Sequence, residues 1–129
     1  MRNVKINGRD IPIDSRGVSI IFYMDEFGRD ILQDAMNFLL NVSSQRPNLS
    51  IISKILYTYI KTANETRFKN YRAFMDSFKN ITALIDKDNM TAILDETYDL
   101  LGIDRAKNEE DEEGKDSKKK EEKTAEVNR

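Results

Sequence analysis

The sequence contains no cysteine and no histidine among its 129 residues. Without cysteine it has neither a disulfide framework nor thiolate chemistry. Without histidine it lacks the commonest metal ligand and general base. These absences exclude most hydrolase designs and zinc sites, so the sequence predicts no metal site and no cofactor.

The chain also lacks a large excess of charge of either sign. Its 21 basic and 23 acidic residues give a net charge of −2. That balance provides no electrostatic reason to bind a phosphate backbone, so a nucleic-acid partner is not expected. Apolar residues make up 39% of the chain, which is enough for one modest core and therefore for one domain.

Long hydrophobic runs are missing as well. The longest one, residues 20–24, is far shorter than the ~20 residues that span a bilayer, and residues 1–7 lack the apolar centre of a signal peptide. The sequence therefore predicts a protein without a membrane partner that stays in the cytoplasm where it is made.

Two carboxylate pairs are the most plausible catalytic groups, but neither has the right pattern. Asp25 and Glu26 are adjacent on a predicted helix, so their side chains point in different directions. Asp86 to Asp88 begins like a calcium loop, yet Thr91 and Thr97 stand where glycine and glutamate are required. The five glycines occur singly, without a phosphate-binding loop. We therefore expect a protein that is not an enzyme.

The N-terminus has the pattern of a β-hairpin. Two short apolar alternations flank Asn7-Gly8, a pair that suits the positive φ angles of a type I′ turn. We predict a hairpin at residues 3–13, with the strand that contains Pro12 at an edge. Two strands are marginal alone, so the apolar side should rest on helices.

Helical periodicity covers the chain from there to Ile103, and the sequence predicts a mainly α fold: a short N-terminal β-hairpin followed by a compact bundle of about five helices. Asn48 and Asp30 are suitable N-caps, Asp88 could cap the last helix, and Gly28 and Gly102 are suitable C-terminal stops. The predicted helices are residues 18–27, 31–42, 48–63, 68–80 and 89–101.

The central helix, residues 48–63, is the expected core. One face of it carries Ile52, Ile55, Leu56, Tyr59, Ile60 and Ala63. The inward residues expected of the preceding helix are Ile31, Leu32, Ala35, Met36, Leu39 and Val42. The next helix presents a core stripe of Phe68, Tyr71, Phe74, Met75 and Phe78. The inward residues expected of the last helix are Met90, Ile93, Leu94, Thr97 and Leu101.

The first helix is ambiguous because it carries two apolar faces. One consists of Ile20, Met24 and Phe27, and the other of Val18, Ile21 and Phe22. In one interpretation the hairpin covers one face and the other helices cover the second. In the other, one face awaits a protein partner. For that case we select Val18, Ile21 and Phe22 as the candidate partner-binding residues.

The composition changes after Ile103. Residues 104–129 hold 18 charged residues, with only Ala106, Ala125 and Val127 as apolar ones. Such a segment cannot bury a core. The sequence therefore predicts a helical domain with an N-terminal hairpin at residues 1–103 and a disordered charged tail at residues 104–129.

The segments VKINGRDIPI (4–13), GVSIIF (17–22) and DEFGRD (25–30) resemble the tail assembly chaperones of long-tailed phages of Gram-positive bacteria. The resemblance extends in order of elements over residues 1–103. It implies a short hairpin, a compact helical domain and a charged C-terminal region.

The resemblance also implies a function in the host cytoplasm. Such a protein binds the phage tape measure protein through apolar helical surface and keeps it soluble until the tail tube assembles. Self-association stays open. The alternative is a small helical regulator or adaptor that binds another protein or nucleic acid, although Arg67, Lys69, Arg72 and Lys79 are scattered around their predicted helix.

Overall fold

A computed structural model describes residues 1–42, 47–63 and 67–104. Its elements in chain order are β1 (Arg2–Ile6), β2 (Arg9–Ile13), α1 (Val18–Phe27), α2 (Ile31–Leu40), α3 (Leu49–Thr62), α4 (Tyr71–Asp76), a 3₁₀ helix (Ile81–Ile85) and α5 (Lys87–Leu101). The predicted fold class, a hairpin followed by a mainly helical domain, is confirmed. Residues 43–46, between the second and third predicted helices, and all of the predicted tail except Asp104 lie outside the described residues.

The hairpin forms as its sequence predicts. β1 and β2 are antiparallel, with Val4 opposite Ile11, and both turn residues have positive φ, 53° at Asn7 and 79° at Gly8. The apolar side chains at alternate positions all point to one side and are buried. That side rests on α3 and α5, so the helices supply the cover that two strands need.

Helix α3 lies at the centre of the domain. It begins where predicted, because the Asn48 side chain accepts a hydrogen bond from the Ile51 N–H at 3.1 Å. The sequence predicted one inward face, but all six residues from Ile55 to Ile60 are buried. Ala63, predicted inward, follows the helix and is half-buried. A helix buried on every side must be packed by several elements at once.

Helix α4 is shorter than the single helix predicted at residues 68–80. The Asn70 side chain caps it by accepting from the Ala73 N–H at 2.8 Å, so the helix starts at Tyr71 and ends at Asp76. Asn80 caps the separate 3₁₀ helix that follows. The aromatic stripe is nevertheless core, since Phe74 is fully buried with Phe68 and Phe78 each 5.1 Å from its ring centre.

Helix α5 starts at Lys87, two residues before the predicted start, and Asp86 rather than Asp88 occupies the N-cap position. Its end is as predicted: Gly102 has a φ of 72°, and the Ile103 N–H donates to the Tyr98 carbonyl at 2.9 Å. The buried residues of α5 are Asn89, Ile93, Glu96 and Thr97. Met90, Leu94 and Leu101, which the sequence placed inward, are only half-buried.

Two of the buried polar residues of α5, Asn89 and Glu96, contact the hairpin, whereas the third, Thr97, lies 2.8 Å from the Tyr59 hydroxyl of α3. Arg2 on β1 donates hydrogen bonds to Glu96 and, at 2.7 Å, to Asp99. The Asn89 side chain bonds to the backbone of Lys5 through both its amide oxygen and its amide nitrogen. Helix α5 therefore binds the edge of β1 by polar contacts, while Ile93 and Thr97 of the predicted inward stripe are fully buried.

Candidate protein-binding surface

Helix α1 buries a line that lies between its two predicted apolar faces. Ser19 and Tyr23, one turn apart, are fully buried. The Ser19 hydroxyl lies 2.7 Å from the Thr62 hydroxyl, and the Tyr23 hydroxyl donates to Asp34 at 2.8 Å. Because both polar groups have partners, they can occupy the contact with α2 and α3 at little cost.

The outward side of α1 is apolar. Ile20, Ile21 and Met24 are 37%, 58% and 48% exposed. We call these three residues the α1 patch. Ile20 and Met24 were predicted on a face with Phe27, but Phe27 is half-buried against Tyr57 and Tyr71, while they face solvent.

The three residues selected from the sequence, Val18, Ile21 and Phe22, do not form one exposed face. Ile21 belongs to the α1 patch, whereas Val18 and Phe22 are half-buried. The Lys61 ammonium lies 5.0 Å from the centre of the Phe22 ring, in cation–π geometry. Of the three, Ile21 is therefore the residue most available to a partner.

Helix α2 displays a second line of exposed apolar side chains. Leu32, Met36 and Leu40, spaced four residues apart, are 39%, 41% and 73% exposed, and we call them the α2 stripe. The sequence placed Leu32 and Met36 inward, and this was wrong. The buried residues of α2 are Ile31, Asp34, Ala35 and Phe38. Leu39 is half-buried, and Val42, predicted inward within the helix, lies beyond its end and is 36% exposed.

The sequence shows that α2 has more apolar residues than one packing contact can bury, but it does not show which of them stay exposed. The buried Asp34 determines which residues are exposed, because its bonds fix the rotation of α2 against α1. The signal available from the sequence is the two parallel apolar lines at four-residue spacing, Ile31–Ala35 and Leu32–Met36–Leu40.

Asp34 is a buried charge held by two neighbours. It is 2% exposed and accepts hydrogen bonds from the Arg29 guanidinium at 2.6 and 2.8 Å and from the Tyr23 hydroxyl at 2.8 Å. The Arg29 guanidinium, assisted by Tyr23, lowers the pKa of Asp34, although burial acts in the opposite direction. Burial and the bond to Asp34 raise the pKa of Tyr23 above its usual range. Asp34 and Arg29 therefore stay ionised while Tyr23 keeps its proton, and the three residues join α1, α2 and the turn between them.

A cleft of about 270 Å³ lies beside this cluster, between α2, α3 and α5. Its lining residues are Arg29, Asp34, Asn37, Phe38, Asn41, Val42, Pro47, Asn48, Ile51, Ile52 and Met90. Asp34 is the one acid among them, and it is already bonded to Arg29 and Tyr23. Among the described lining residues there is therefore no second carboxylate for acid–base catalysis.

The carboxylate pairs considered in the sequence are solvent-exposed: Asp25, Glu26, Asp86 and Asp88 all lie on the surface. Over residues 1–42, 47–63 and 67–104, no group of three or more acidic side chains is placed to hold a metal ion. None of the helices described is both long enough and apolar enough to span a bilayer.

The site is thus a surface rather than a pocket: two consecutive helices that each leave three large apolar side chains in water. Comparison of the chain with models of protein families, with curated proteins and with solved structures found no match in any of the three.

Proposed function

We propose that this protein is a phage tail assembly chaperone. In this role it is not an enzyme: it binds the tape measure protein through apolar helical surface and keeps it soluble in the host cytoplasm until the tail tube assembles. The observation that carries the proposal is the exposure of the α1 patch and the α2 stripe, six large apolar side chains on consecutive helices. The identity of the partner rests on the resemblance of residues 4–30 to that family.

An apolar helical surface suits a partner that is itself an amphipathic helix, which lays its apolar face against such a surface. Fully burying one large aliphatic side chain contributes roughly 1.5–3 kcal/mol. Association costs roughly 4–15 kcal/mol in lost freedom. Three partly exposed side chains cannot reliably offset that cost, so both the α1 patch and the α2 stripe are expected to contribute.

The test is co-expression of the tagged full-length chain with the tape measure protein of the same phage, followed by affinity capture. Ile21→Asp and Leu40→Asp each place a charge on the most exposed large apolar residue of its helix. Either substitution should abolish or strongly reduce capture, because the buried carboxylate would have no partner. Asn3→Asp, at an exposed polar position of β1, is the control and should retain capture.

Retention of the tape measure protein by both Ile21→Asp and Leu40→Asp would show that these helices are not the binding surface. Failure of the unsubstituted chain to capture or solubilise it would refute the proposed function.

A further inference from the structure

The α1 patch ends in negative charge. Helix α1 contains no lysine or arginine, and its two charged residues, Asp25 and Glu26, both stand in its last turn. Asp25 follows Ile21 by one turn, a spacing that puts their Cβ atoms about 5–6 Å apart. A helix that packs on Ile21 and Met24 must therefore pass close to the Asp25 carboxylate.

The backbone adds to this charge. The carbonyl groups at a helix C-terminus carry partial negative charge, which favours a nearby cation and disfavours an acid. In α1 the Gly28 N–H donates to the Met24 carbonyl at 2.8 Å, but the acidic side chains stand at the same end. Within the domain this placement is unfavourable, and a cation supplied from outside would relieve it.

In the described part of the chain, four basic residues near α1 already have other contacts. Arg29 is bonded to Asp34, and Arg16 pairs with Asp14 at 3.1 Å and donates to the Thr62 carbonyl at 2.8 Å. Lys61 and Lys54 lie over the rings of Phe22 and Phe27. None of these contacts is an ion pair with Asp25.

We infer that the α1 patch and its acidic end accept an amphipathic helix whose apolar stripe is flanked by lysine or arginine. This inference rests on the proposed function and specifies which class of tape measure segment is bound. A second copy of this chain is a poor occupant, because its α1 presents apolar residues and acids without a base. Packing two α1 faces together would bring carboxylates to the interface without a compensating cation.

The expected signature is a modest, salt-sensitive preference for basic partners. An exposed ion pair is worth about 1.4- to 5-fold in affinity. Charges at the rim of an interface act chiefly on the association rate and on its salt dependence. The apolar contact should supply most of the affinity, while Asp25, one turn after Ile21, selects the partner. Glu26 lies on the opposite side of α1, one turn after Phe22.

The experiment uses the full chain and two synthetic amphipathic helical peptides with the same leucine stripe, one flanked by lysine and one by glutamate. Fluorescence anisotropy measures binding at low and high salt. The lysine peptide should bind at least about threefold more tightly at low salt, and the difference should shrink at ~1 M salt, where the Debye length is ~3 Å. Ile21→Ser should weaken the binding of both peptides.

Because the chain carries a net negative charge, it could attract a basic peptide at any site. A matched control separates that general attraction from attraction by the acidic residues of α1. Asp25→Asn/Glu26→Gln should remove most of the preference for the lysine peptide. Asp10→Asn/Asp76→Asn makes the same change in net charge at exposed sites on β2 and α4, and it should keep the preference.

The inference would be overturned if the two double variants lost the preference for the lysine peptide equally. It would also be overturned if the unsubstituted chain bound the two peptides equally. A dimer in sedimentation that Ile21→Asp converts to monomer would overturn it as well. In each of these cases capture of the tape measure protein would leave the proposed function standing, whereas loss of that capture as well would refute both.

Discussion

The Asn89 side chain pairs with the backbone of Lys5 as a neighbouring strand would. Its amide oxygen accepts from the Lys5 N–H at 2.8 Å, and its amide nitrogen donates to the Lys5 carbonyl at 2.9 Å. The same nitrogen also donates to the Ala83 carbonyl at 3.0 Å. One side chain therefore satisfies part of the outer edge of β1 and joins it to α5 and the 3₁₀ helix.

Replacing this side chain should destabilise the domain. Asn89→Ala leaves a backbone donor and acceptor of Lys5 without partners, and each such loss costs roughly 1–3 kcal/mol. We expect the midpoint of urea denaturation to fall accordingly. Asn3→Ala, on the exposed side of the same strand, is the control and should change the free energy of unfolding by less than about 0.5 kcal/mol. Equal effects of the two would mean that the edge contact is not stabilising.

The centre of α3 should be the most sensitive position to truncation. Leu56 is fully buried, so Leu56→Ala should lower the free energy of unfolding by roughly 2–5 kcal/mol through lost burial and the cavity left behind. Leu40→Ala makes the same chemical change at a residue that is 73% exposed, and it should cost less than about 0.5 kcal/mol. Chemical denaturation of the two variants measures the difference. A small effect at Leu56 would contradict the central position of α3.

The Asp34 cluster predicts a specific dependence of stability on pH. The pKa of Asp34 is lowered in the folded state, so its charge stabilises the fold at pH values above the usual aspartate pKa of about 3.9. This stabilisation is lost as the pH falls through the lower, folded-state pKa. At pH 7 Asp34→Asn should destabilise by roughly 1–3 kcal/mol, because Arg29 and Tyr23 lose a charged acceptor.

The measurement compares the free energy of unfolding of the unsubstituted chain and Asp34→Asn from pH 7 to pH 2. The difference in free energy of unfolding between the unsubstituted chain and Asp34→Asn should become smaller below about pH 4. Asp10→Asn, at an exposed carboxylate, should show no such difference. A difference that stayed constant with pH would show that the effect of Asp34→Asn is steric rather than electrostatic.

Two glycines flank α1, and replacing each by alanine separates the effect of backbone conformation from the effect of steric crowding. A Cβ atom at Gly17 or at Gly28 would meet no other group within 4 Å. Gly28 has a φ of 65°, in the left-handed region, whereas Gly17 has a φ of −54°. Gly28→Ala should therefore destabilise by about 1–2 kcal/mol, and Gly17→Ala should cause no loss. Similar melting temperatures for the two variants would contradict the assigned conformation of Gly28.

Local chemistry made the element ends predictable from the sequence. The Asn7-Gly8 turn, the caps Asp30 and Asn48 and the stop at Gly102 each depend on residues close in the chain. Such interactions leave a signature that can be read without the fold. The exceptions are also local: Asn70 and Asn80 act as caps, but within a run of apolar residues they look like the polar side of one longer helix.

The orientation of α1 and α2 could not be predicted, because it depends on partners distant in the sequence. Ser19 is buried because Thr62, 43 residues away, offers it a hydroxyl. Tyr23 is buried because Asp34 accepts its hydrogen bond. Apolar periodicity assigned the two sides that flank this buried line to the core, so it did not show that Ile20, Ile21 and Met24 would be exposed together.

The contacts between β1 and α5 also constrain the order in which the domain folds. Lys5 and Asn89 are 84 residues apart, and Arg2 and Glu96 are 94 apart. The entropy cost of closing such a large loop is incurred before these contacts can form. Folding is therefore expected to be slower than that of a simple helical bundle. During synthesis the first strand leaves the ribosome long before its partner helix exists. The nascent hairpin therefore keeps an open edge at Lys5 until α5 has been made and Asn89 has docked against it.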